Sequence, residues 1–151
     1  MNGNAFEAWR DELLSLDRYE NAEDARQFST LVKGVIGKLD AKTIDVLLDT
    51  FCDDDDYGIQ ERVLVVLDHA DATLYAERLA TNFAKIKNQA SDKEWPLILI
   101  GRMVNSENDE KINAIVLAAK KHKSFDDFIR SDEFLDEYPE LTSYIDDHLD
   151  R

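Results

Sequence analysis

Apolar side chains return every three or four residues along almost the whole chain, and this spacing is the strongest constraint on its fold. An α-helix completes a turn in 3.6 residues, so such positions line up on one side of it. Phe6, Trp9, Leu13 and Leu16 share a face of a first helix over about 5–16. Ala25, Phe28, Val32, Val35, Ile36 and Leu39 do the same for a second over about 22–39. Asp40 stands where an N-cap carboxylate would accept the free first-turn amides of a third helix, which turns Ile44, Leu47, Leu48 and Phe51 inward. With only five glycines and two prolines in 151 residues, the chain offers few of the turns that an all-β fold requires.

A fourth helix carries Ile59, Val63, Val66, Leu67 and Ala70. The run from Val63 to Leu67 is apolar on every side and on its own fits a strand. Its helical spacing continues for about three turns, longer than the usual five- or six-residue strand. A long fifth helix capped by Asp71 presents Tyr75, Leu79, Phe83, Ile86 and Ala90. Ser91-Asp-Lys-Glu94 has the capping-box pattern for a sixth, while Pro96, tolerated only in a first turn, moves its start toward Trp95. Ser106-Glu-Asn-Asp109 opens a seventh helix and Ser124-Phe-Asp-Asp127 a short eighth. Pro139 opens a last one through Tyr144 and Leu149. The glycines at 34 and 37 fall inside the second helix, where close packing accounts for them. The expectation is one all-α domain over 1–151, with seven to nine helices in antiparallel pairs. These form either a HEAT-like stack or a compact bundle.

The charge is segregated. The formal net charge is −15; residues 1–57 hold 14 acids against 6 bases and residues 126–151 hold 10 against 2, around a nearly neutral middle. Phosphate affinity needs clustered cations, so direct binding to nucleic acid or to an anionic membrane is not expected, and a basic protein is the natural partner. The single cysteine, Cys52, allows no internal disulfide or thiolate metal cluster. The start lacks a secretory pattern, and no stretch reaches the roughly 18 apolar residues of a membrane span. A cytoplasmic protein consisting of the whole chain is expected.

Motifs for chemistry fail on spacing. Asp53, Asp55 and Gly58 match positions one, three and six of a calcium-binding EF-hand loop, but position twelve is Leu64, which has no carboxylate. Gly34-Val-Ile-Gly37-Lys38 has its glycines too close together for a phosphate loop, and Leu39 follows the lysine. His69, His122 and His148 are too far apart to pair on a helix face. Cys52 has no adjacent cation and reads as a small buried hydrophobe. No pair of carboxylates is singled out for acid–base work. The reading is a binding protein and not an enzyme, with no catalytic residue, metal or cofactor.

Two acidic segments are the candidate partner-binding residues. Asp53, Asp54, Asp55 and Asp56 repel one another in a short connection, beside Tyr57 and with Glu61 on the following helix, and a basic partner would relieve that repulsion. Asp126, Asp127, Asp132 and Glu133 lie near Phe125, Phe128, Phe134 and Tyr138. The stretch Glu94-Trp-Pro-Leu-Ile-Leu-Ile-Gly-Arg-Met-Val-Asn-Ser106, with Phe51-Cys-Asp-Asp-Asp-Asp-Tyr-Gly58 before it, resembles the α-helical immunity proteins of bacterial polymorphic toxin systems, of which contact-dependent growth inhibition is one. The resemblance covers about residues 40–122. It implies a protein that binds one cognate toxin domain, commonly a basic nuclease, and occludes its active site or substrate path. A helical adaptor or chaperone-like module that binds peptides is the alternative.

Overall fold

The computed structural model describes residues 1–54, 56 and 58–148, with side chains as far as 146. The described chain is all-α. Its helices are α1 (Gly3–Ser15), α2 (Ala22–Lys33), α3 (Ala41–Asp49), α4 (Ile59–Leu67), α5 (Ala72–Thr81), α6 (Phe83–Ala90), α7 (Trp95–Val104), α8 (Asp109–Ala119), α9 (Lys123–Ile129), α10 (Asp132–Glu137) and α11 (Leu141–His148). Eleven α-helices among the described residues exceed the expected seven to nine, because the fifth apolar row is divided at Asn82 and the six-residue α10 is too short to show a period.

The second row ends early. Gly34 closes α2, donating its amide to Thr30 O at 3.0 Å, and a 3-10 turn over Ile36–Lys38 follows. Nothing lies within 4 Å of a Cβ built on Gly37, and one on Gly34 would meet only the carbonyls of Thr30 and Leu31 in the preceding turn, so neither glycine mediates close packing between helices. The long fifth helix is two. Asn82 stands between α5 and α6, its side-chain amide donating at 2.8 Å both to Asp45 Oδ1 and to Arg78 O. A side chain that bonds back to the backbone competes with helix continuation, and the tie to α3 fixes the break.

Several starts also move. Asp40 and Asp71 cap α3 and α5 as expected, each accepting an amide at 2.9 Å. Ser91 instead bonds back to Lys87 O, Glu94 adopts a left-handed φ of 61°, and α7 begins at Trp95 with Pro96 in its first turn. Asn108, not Ser106, caps α8, its Oδ1 accepting from Glu110 and Lys111. The helix α9 begins at Lys123, one residue before Ser124. The unforeseen α10 is capped by Ser131, which accepts the Phe134 amide. The expected end of the last helix, Leu149, lies outside the described residues.

The apolar rows meet in one buried cluster running from Phe6 to Ile145. Its most extensive interhelix contact joins α5 to α8. Ala76, Leu79 and Ala80 of α5 and Ile112, Ile115 and Ala119 of α8 are all buried there. Each fully buried Leu, Ile or Phe contributes about 1.5–3 kcal/mol by leaving water. In α4, Val63, Leu64, Val66 and Leu67 are buried while Val65 is exposed, so that helix keeps an outer side. No described helix is long and apolar enough to cross a membrane.

Candidate functional site

The connection between α3 and α4 is held at its root by neutral groups together with the Asp53 carboxylate. Phe51 is buried with its ring 4.7 Å from that of Trp95, whose indole Nε1 donates to Cys52 O at 3.2 Å. Gln60, buried in the first turn of α4, accepts the Cys52 amide and donates to Asp54 O, each at 2.9 Å. Gln89 donates to Phe51 O at 3.0 Å, and Asp53 Oδ1 accepts the Lys93 amide at 3.2 Å. Gly58, at φ 93°, takes the left-handed conformation that only glycine adopts at little cost and turns the chain into α4.

The four aspartates do not form one surface. Asp56 is only 2% exposed, with its Oδ2 3.1 Å from Arg18 Nε and its Oδ1 accepting the Gln60 amide. Arg18 is itself buried. It donates to Thr50 O and to the Tyr19 hydroxyl, and its guanidinium lies 4.9 Å from the centre of the Phe28 ring. Asp56 is therefore an internal counter-ion, not the surface residue expected for partner binding. Cys52 is likewise half-buried and not a plain hydrophobe: its Sγ lies 3.0 Å from Tyr19 Oη and 3.5 Å from Arg18 Nη2. Burial first, and the bond to Cys52 second, push the Tyr19 phenol up to about 12. Asp55 and Tyr57 lie outside the described residues.

The remaining acids gather around the turn from Ser91 to Pro96. On one side, Asp54, Glu61, Lys93 and Trp95 border a cavity of about 110 Å³. On the other, Glu94 and Pro96 share a cavity of about 210 Å³ with Lys87, Phe128 and Glu133. Asp92 lies in the turn itself. Asp54, Glu61, Asp92, Glu94 and Glu133 are all exposed, and among the described residues none has an ionic partner. Asp53 is half-buried at the root of this face. The turn thus joins two members of the first predicted acidic segment, Asp54 and Glu61, with one of the second, Glu133. Asp92 and Glu94 were absent from the expected set because their stretch is balanced in charge along the chain.

The other carboxyl-terminal candidates are engaged locally or lie elsewhere. Asp126 bonds Arg130 at 2.9 Å one turn on, and Asp127 bonds Lys123 at 3.1 Å. Asp132, like Glu133, sits in the first turn of α10, where the helix dipole favours a negative charge.

No family model, curated protein or solved structure matches the chain. The stretch from Glu94 to Ser106 is accordingly read by what it does here. Trp95 anchors the acidic connection from its carbonyl side. Gly101 is covered by Tyr138, whose Cζ would lie 2.0 Å from an added Cβ, so only glycine fits under that ring. Arg102 forks onto Asp68 with three contacts of 2.6–3.1 Å, and Lys111 donates to Asp68 O at 3.3 Å. These groups border a cavity of about 460 Å³. Much of their hydrogen-bonding capacity is taken up within the protein, which makes that cavity a junction of α4, α7 and α8.

Taken together, the face around the Ser91–Pro96 turn offers five exposed carboxylates on backbone held from beneath. Such an arrangement accepts charge-assisted hydrogen bonds from Lys or Arg side chains and supplies a long-range attraction to a basic surface.

Proposed function

We propose that this protein binds a basic protein toxin, a nuclease domain in the simplest case, and blocks its active site or substrate path in the manner of the immunity proteins its central segment resembles. The reading is carried by the five exposed carboxylates without ionic partners around the turn between α6 and α7. The carboxylates outnumber the ammonium groups of Lys87 and Lys93 that border the same cavities, and a cationic partner neutralises the excess on binding. Opposed charge raises association rates strongly at low salt and fixes which partner docks, while local fit sets the dissociation rate.

The test is co-expression with the product of the gene immediately upstream, followed by association kinetics. The expected outcome is a stable complex whose on-rate falls steeply with salt. The variant D54N/E61Q/D92N/E94Q/E133Q should associate at least tenfold more slowly at low salt while keeping its helical circular dichroism. Absence of a complex, or an unchanged on-rate for that variant, would refute the proposal. Asp56 is left out of the variant because removing it would perturb the core.

A further inference from the structure

Against a net charge of −15, one groove of the protein is basic. It lies between α2 and the first turn of α4 and encloses about 260 Å³. Arg26, Ser29, Thr30 and Lys33 border it from α2 at the spacing of one helix face, and Ile59 and Arg62 border it from α4. No carboxylate lines it. Arg26 bonds Glu23 one turn earlier, but Lys33 and Arg62 are exposed cations without an ionic partner among the described residues. Ser29 is only 7% exposed, and its buried Oγ has no hydrogen-bond partner among the described residues. Buried hydroxyls are nearly always satisfied; Ser29 and Thr43 are both exceptions here, and of the two only Ser29 borders the groove.

We propose that this groove binds the phosphoryl group of a small phosphorylated molecule. The donor set fits that chemistry. A guanidinium presents paired N–H groups that match two phosphate oxygens, an ammonium supplies a compact point charge, and a hydroxyl donates a third direction. Ile59 gives an apolar wall against which the carbon portion of a monoester rests. Glu23 already neutralises part of the Arg26 charge and Glu61 adjoins Arg62, so the attraction rests on Lys33 and Arg62. The proposal does not depend on the protein-binding face and concerns different residues.

The test follows amide shifts of the ¹⁵N-labelled full chain during titration with inorganic phosphate, AMP and ATP, each at constant ionic strength with sodium chloride as the reference. The expected result is saturable shifts at Ser29, Thr30 and Arg62 that chloride does not produce. Arg62→Ala should weaken binding at least tenfold and Lys33→Ala at least threefold; both side chains are exposed, so the fold should survive, with circular dichroism as the check. Ser29→Ala should weaken binding without altering the salt dependence. Tighter binding of AMP or ATP than of phosphate identifies a nucleotide as the source, and equal binding identifies free phosphate or a simple monoester. Linear shifts shared by lysines and arginines over the whole surface, or Arg62→Ala and Lys33→Ala variants that bind like the parent, would overturn the proposal.

Discussion

Replacing Asp56 with alanine removes a carboxylate from a place where water cannot take over its role. Arg18 would remain buried, 8% exposed, with its charge uncompensated on the Nε side. Breaking a buried pair by removing one member typically costs about 3–5 kcal/mol. Arg18 keeps its bonds to Thr50 O and Tyr19 and its place beside the Phe28 ring, which puts the expected loss near the lower end, about 3 kcal/mol. For a chain of this length that corresponds to a fall in Tm of roughly 6–12 °C. Urea unfolding followed by circular dichroism measures it as a lower midpoint at unchanged slope. Asp54→Ala, on the exposed face, should stay within about 0.5 kcal/mol of the parent. The double variant Arg18→Met/Asp56→Leu should cost less than the sum of its single changes, since it removes both charges together. A loss below about 1 kcal/mol for Asp56→Ala would show that the pair is not closed to solvent, and the structural role assigned to this aspartate would be wrong.

Gly101→Ala sets two effects against each other: a gain of about 0.5–1 kcal/mol in helix propensity, and the displacement of Tyr138 from Gly101 and from its neighbour Phe134. A net loss of about 1–2 kcal/mol is expected in thermal melts, turning into a gain in a Tyr138→Ala background; stabilisation in the parent itself would contradict the packing described. Tyr19 gives a pH dependence. Its folded-state phenol, raised to about 12, holds its proton longer than the unfolded one near 10. Its contribution is complete below pH 10, and stability declines from pH 10 to 12 as the unfolded chain ionises first. Melts across that range should decline less steeply for Tyr19→Phe, and parallel curves would remove Tyr19 as the cause.

Helical spacing made the class of the fold legible, and side-chain caps such as Asp40 and Asp71 marked two starts because their signal is local. Where the text of the chain misled, the deciding contact came from far along it. Asn82 looks like one more position in a periodic row until Asp45, 37 residues earlier, ties it down. Asp56 looks like one of four equivalent acids until Arg18, supplied by the connection between α1 and α2, makes it an internal partner. Cys52 acquires its polar surroundings from the same connection. Charge counted by segment located the acidic ends but missed Asp92 and Glu94, and it hid Arg62, whose cationic neighbours lie on another helix. Such groupings depend on which helix faces meet, a property that periodicity within each helix does not encode.

The root of the acidic connection also decides how the face responds to salt. Trp95, Gln60 and Gln89 hold it through uncharged donors and acceptors, and the one ion pair beneath, Arg18 with Asp56, is shielded from counter-ions by burial. Adding salt therefore shortens the range over which the carboxylates are felt but leaves their backbone where it was. Reach and shape are governed separately, so an encounter abolished at high ionic strength should return in full on dilution, with no refolding step in between.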